Sequence, residues 1–130
     1  MMGIAVPQTN AESRSAIALK AYGRIVQHWG LTLAEAADLA DMSESTWKRA
    51  RRPGYAPDLT HDQVLRLSAI IGIYKALSLY FEEEIARRWP TLPNQGPLFA
   101  GARPIDTMVE DGLPQFLRVR SYLDALRGGM

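Results

Sequence analysis

The chain has 130 residues, 47% of them hydrophobic, and sets 15 Lys and Arg against 14 Asp and Glu for a net charge of +1. This is enough apolar material for one compact domain or two small units sharing a core, and it argues against wholesale disorder. The absence of cysteine excludes disulfides, thiol nucleophiles and Cys-ligated zinc, while the near-neutral balance confines any nucleic-acid contact to a locally basic face.

Residues 1–11 carry Gly, Pro and polar residues without a period and are expected to form a mobile leader. They lack the basic and apolar regions of a secretory signal. From about Glu12 to Trp29, Ile17, Leu19, Tyr22, Ile25, Val26 and Trp29 recur at helical spacing, and Gly30 sits where a left-handed stop would fall. Thr32 with Glu35 matches a capping box and opens a short helix through Leu39 and Ala40. Asp41 and Met42 read as a tight turn, Ser43 as the N-cap of the next helix, and Pro53 with Gly54 as its end. Two short helices around such a turn make a helix-turn-helix.

Thr60 and Gln63 form a second capping box, ahead of the stretch that organises the chain, Val64 to Ala86. Its clear polar stripe is narrow: Ser68, Gly72, Lys75, Ser78 and Glu82. The remaining apolar surface exceeds what one packing face requires, so this helix is expected to be covered on several sides. A break is expected near Phe81, with a restart on Glu82, Glu83 and Glu84. Arg66, Lys75 and that acidic run interrupt the stretch too often for a membrane span, so the expected location is the cytoplasm, with no membrane partner. Pro90, Pro93, Asn94, Gly96, Pro97 and Gly101 then mark an irregular loop. Pro104 opens a short helix to Glu110, Gly112 separates it from a last helix at about Pro114 to Leu126, and Gly128, Gly129 and Met130 read as a flexible tail. The expected fold is all-α. A helix-turn-helix bundle (12–60) packs on a long central helix that leads into a second helical unit (61–130).

In the second short helix Trp47 and Ala50 are expected to face inward. Ser43, Glu44, Ser45, Thr46, Lys48, Arg49, Arg51 and Arg52 are the candidate DNA-contacting residues. Short hydrogen-bonding side chains near a helix N-terminus suit base edges in a major groove, and later cations suit guanine or phosphate. The same cations also suit a solvated helix end, where they complement the C-terminal dipole. His28 and His61 have no ligand spacing, adjacent glutamates in a first turn are explained by its positive end, and no nucleophile elbow, P-loop or dinucleotide fingerprint occurs. The expectation is a chain that is not an enzyme, with no catalytic residue, metal or cofactor.

TLAEAADLADMSESTWKRARR, residues 32–52, resembles the Xre/Cro-type helix-turn-helix, with Asp41 in place of the usual turn glycine. Aspartate enters the left-handed region more readily than most residues. Beyond it, Trp89, Pro93, Asn94, Phe99, Gly101, Pro104 and the end YLDALRGG give residues 72–129 the look of the toxin-binding domain of Xre/MbcA/ParS antitoxins. The resemblance implies a type II antitoxin, commonly dimeric, that represses its own operon through operator DNA. It also implies binding to a RES-type, NAD-consuming toxin that closes access to the toxin's NAD pocket. The candidates for toxin contact are Tyr122 and the expected exposed residues Arg118, Arg120, Ser121, Asp124, Arg127, Gly128 and Gly129. The other reading of the same residues is a stand-alone regulator whose C-terminal part only dimerises.

Overall fold

The computed structural model describes residues 10–55 and 57–128, with side-chain environments for residues 14–55 and 57–126. Seven α-helices and no strand occur among the described residues, so the all-α expectation holds. The first helix, α1 (Asn10–Trp29), begins two residues before its expected start and ends at Gly30, whose φ of 68° reverses the chain into the next element. Of its periodic apolar residues, Leu19, Tyr22, Ile25, Val26 and Trp29 are buried, but Ile17 is exposed.

The short helices α2 (Leu33–Leu39) and α3 (Glu44–Ala50) flank the expected turn. In the first capping box the Thr32 hydroxyl accepts from the Glu35 N–H at 3.1 Å and Glu35 accepts from the Thr32 N–H at 2.9 Å. Asp41 takes a φ of 58°, the left-handed geometry for which the turn position selects. Ala36, Ala37, Leu39 and Ala40 are fully buried; the small side chains of the three alanines let α2 and α3 cross closely. Trp47 is 1% exposed and meets Tyr22 of α1 edge to face, with ring centroids 5.2 Å apart.

The central helix α4 (His61–Tyr80) starts at the second capping box and stops where Phe81 turns extended, at φ −119° and ψ 152°. The expected break is therefore present, and α5 (Glu83–Arg88) restarts beyond it. The glutamates lie at the positive end of α5, which Glu82 precedes without a side-chain cap bond. Leu67, Ile70, Ile73 and Leu77 of α4 are buried. The apolar surplus of α4 is absorbed within the chain, by α1 and α5 and above all by α7 (Leu113–Gly128). Leu79 is the large apolar residue of α4 left well exposed, at 65%.

A 3₁₀ turn (Trp89–Thr91) leads into the loop, which is ordered by backbone bonds. Asn94 N–H donates to Ala102 O at 3.0 Å, Gly101 N–H to Asn94 O at 2.8 Å, and Gly96 N–H to the Asn94 side chain at 2.8 Å. Phe99 is buried between the rings of Trp89 and Tyr122. Next, α6 (Pro104–Asp111) opens on its proline and ends at Gly112. The last helix runs through Gly128, two residues beyond its expected end. A tail flexible from Gly128 is thus corrected for that residue, because the helical hydrogen-bond ladder continues through it. Gly129 and Met130, like residues 1–9 of the expected leader 1–11, lie outside the described residues, while Asn10 and Ala11 belong to α1 and not to a leader.

Candidate functional site

Two exposed faces present the residues singled out from the sequence. At α3, Ser43 is the N-cap: its hydroxyl accepts from the Thr46 N–H at 3.1 Å and donates to Thr46 Oγ1 at 2.8 Å. Glu44, Ser45, Lys48, Arg49, Arg51 and Arg52 are exposed, while Thr46 is half-buried. Arg51 is the C-cap, and Arg52 lies in the turn beyond it. The four cations thus crowd the negative end of the helix dipole. Among the described residues Lys48, Arg49, Arg51 and Arg52 form no ion pair, and Arg49 makes only a long 3.4 Å bond to Thr46. This leaves short hydroxyls at one end of a helix and uncompensated positive charge at the other.

The second face is α7. Arg118, Ser121 and Asp124 are exposed, and Tyr122 is half-buried with its ring edge-on to Phe99, 6.0 Å between centroids. Arg120 is exposed but lies across α4: a Cβ at Gly72 would stand 2.7 Å from its Cζ. The missing side chain of Gly72 therefore makes room for this guanidinium. Arg127 and Gly128 fall in the last turn, their side chains outside the described residues, and Gly129 lies beyond them. The structure brings Arg118, Ser121 and Tyr122 to the rim of one open basin, completed by Leu98 and Leu117. Leu98 and Leu117 are not among the candidates singled out from the sequence, and the Leu117 side chain is 47% exposed.

The two faces are tied together by polar links that the sequence did not announce. Glu35 uses Oε1 for its capping box and Oε2 to accept from Arg103 Nη2 at 2.8 Å, while Arg103 also grips Asp106 at 2.8 Å. Partial burial pushes the Glu35 carboxyl up, but the Thr32 N–H and the Arg103 guanidinium together hold it below the usual carboxylate range. The bonds to Asp106 and Glu35 strengthen the hold of Arg103 on its proton. Gln63 repeats the pattern: Oε1 caps Thr60, and Nε2 donates to Asp41 O at 2.8 Å. Arg66 pairs with Asp62 at 2.6 Å, reaches Leu39 O at 3.4 Å and stands 5.2 Å over the Phe116 ring. Helices α4 and α6 thus both hold the unit that carries α3.

Among the described residues no cluster of three His, Cys, Asp or Glu is arranged to hold a metal ion, and no helix is long and apolar enough to cross a membrane.

This architecture is a helix-turn-helix unit joined, through a shared central helix, to a second helical unit. Residues 8–72 match the antitoxin Xre-like helix-turn-helix domain, and residues 76–129 match the antitoxin Xre/MbcA/ParS C-terminal toxin-binding domain. The chain is also 39% identical over 113 residues to the uncharacterized protein y4oB of Sinorhizobium fredii (strain NBRC 101917 / NGR234), covering 85% of this chain and 84% of the relative. The chain belongs to the Xre/MbcA/ParS antitoxin family, and its two domains indicate an antitoxin with a toxin partner and a DNA-binding unit.

Proposed function

We propose that this antitoxin neutralises a RES-type toxin that degrades NAD, closing access to the toxin's NAD pocket with its C-terminal unit, and represses its own operon through α3. DNA reading is assigned to residues 12–60 and toxin binding to 61–130, with α4 serving both, and the active form is a cytoplasmic homodimer. In this reading Ser43, Glu44, Ser45 and Thr46 face base edges, and Lys48, Arg49, Arg51 and Arg52 meet guanine or phosphate. Arg118, Arg120, Ser121, Tyr122, Asp124 and the end Arg127 to Gly129 contact toxin. The observation that supports it most is the pairing of the toxin-binding domain match with an uncompensated cationic helix end on the helix-turn-helix.

The deciding experiment is co-expression with the reading frame adjacent to its gene, scoring growth, NAD level and co-purification together. Expression of that neighbour alone should arrest growth and deplete NAD, and co-expression should restore both. Normal growth with the neighbour alone removes the RES assignment. Retained operator repression in that case points to a stand-alone regulator.

A further inference from the structure

The basin on α7 has a property that a generic apolar patch lacks. Its cation is held in place by neutral groups. Arg118 Nη1 donates to Gln115 Oε1 at 3.2 Å, Gln115 Nε2 donates to Thr107 Oγ1 at 3.1 Å, and the Thr107 hydroxyl donates to Pro104 O at 2.8 Å. Gln115 is 3% exposed, the buried polar residue of this part of the core. Because its amide N–H is committed to Thr107, its carbonyl is left facing Arg118. The relay fixes the direction of the guanidinium without neutralising it. By contrast, Arg66, Arg87 and Arg103 each pair with a carboxylate of this chain, and Arg118 forms no ion pair among the described residues.

Around this cation lie Leu98, Leu117 and Tyr122, which with Ser121 and Arg118 line a shallow basin, open to solvent, of about 480 Å³. The basin lies within the domain matched as toxin-binding, residues 76–129, so its occupant is sought on the toxin. An apolar occupant alone would cover Arg118 without a counter-charge, and burying a charge that no opposite charge balances is costly. A basic occupant would be repelled. A carboxylate next to an apolar side chain satisfies both halves: the acid accepts from the fork of Arg118 and from the Ser121 hydroxyl, and its neighbour rests on Leu98 and Leu117.

We propose that this basin, with Arg118 held at its rim by Gln115, is the seat for a toxin segment that presents an acidic side chain beside an apolar one. The inference rests on the toxin-binding reading of the C-terminal unit, and it adds the chemistry of the partner and a role for a buried glutamine. Gln115 is a positioning residue: it removes orientational freedom from Arg118 before the toxin arrives.

The test uses the full chain and the protein encoded by the adjacent reading frame, with affinity measured at several salt concentrations and folding checked by circular dichroism. Arg118 and Leu117 are both exposed, so their variants should keep the fold. Arg118→Ala and Leu117→Ser are each expected to weaken binding on the order of 10-fold or more, and Arg118→Glu on the order of 100-fold. Arg118→Ala should also flatten the salt dependence of binding. Gln115→Leu should weaken binding several-fold with its salt dependence intact, because the charge stays and only its aim is lost. Wild-type binding with Arg118→Glu within twofold of it overturns the inference, even where Leu117→Ser binds poorly, since that result means an apolar contact only. No binding by the wild-type chain overturns the toxin assignment, and this inference with it.

Discussion

At the end of α3, Lys48, Arg49, Arg51 and Arg52 stand in solvent with one long hydrogen bond among them, whereas on α7 Arg118 is aimed by Gln115 and Arg120 lies along α4 over Gly72. The two cationic faces have similar composition and differ in freedom. Contact with a phosphate backbone draws its strength from counterion release and tolerates side chains that find their own geometry. Docking on a folded protein favours groups whose orientation is settled beforehand. The difference matches the proposed assignment of one face to DNA and the other to protein.

The sharpest way to break the comparison is to unseat one face while sparing the other. Trp47→Ala removes the aromatic anchor between α3 and Tyr22 and is expected to cost roughly 3–5 kcal/mol in denaturant titration, with operator binding lost alongside. Next in size, Arg49→Ala combined with Arg52→Ala should reduce the salt slope of operator binding by about two in mobility-shift assays and weaken that binding at least about tenfold. Stability should change by less than about 0.5 kcal/mol, since both side chains are exposed. An unchanged slope would remove α3 from the DNA contact.

Smaller effects probe the links between the faces. Glu35→Gln keeps a cap for the Thr32 N–H but loses the charge facing Arg103, and is expected to cost roughly 0.5–1 kcal/mol. Because the Glu35 carboxyl is held below its ordinary value, that contribution is fully present above about pH 4.3 and disappears as pH falls through the lower folded-state value. In the Gln variant this acid-side loss should be reduced. Tyr22 gives the opposite sign: burial raises its phenol well above the ordinary value, so its contribution is full below about pH 10 and is lost as pH climbs beyond it. Thermal melts across pH 9 to 11 check this, with Tyr22→Phe flattening the alkaline decline. Last, Gly72→Ala should displace only the flexible end of Arg120 and raise helix propensity, giving a change within about 1 kcal/mol, in the stabilising direction.

Much of this fold was legible in the sequence because its boundaries are set by local chemistry. Both capping boxes, the left-handed Asp41 and the Phe81 break depend on residues within a turn of one another. What was not legible depends on distance in the chain. Glu35 meets Arg103 across 68 positions, and nothing in either segment alone announces the bond. Leu117 fits the apolar period of α7, yet the loop that would have to cover it instead places Leu98 at its edge and leaves a basin. Gly72 read as part of a polar stripe, while its meaning lies in the Arg120 side chain that crosses it.

The bond from Arg103 to the capping box of α2, with Gln63 and Arg66 reaching back to Asp41 and Leu39, also bears on how such chains can be recombined. A hybrid spliced in the 51–60 connection would bring a foreign C-terminal half to a helix-turn-helix whose first cap, turn and last carbonyls it must complete. New toxin specificity grafted in this way carries a compatibility requirement at Glu35, Asp41 and Leu39, far from either binding face. Exchange of halves between related antitoxins is therefore expected to succeed where the incoming half brings an arginine at position 103 to the carboxylate at position 35, and to lose roughly 0.5–1 kcal/mol of stability where it does not.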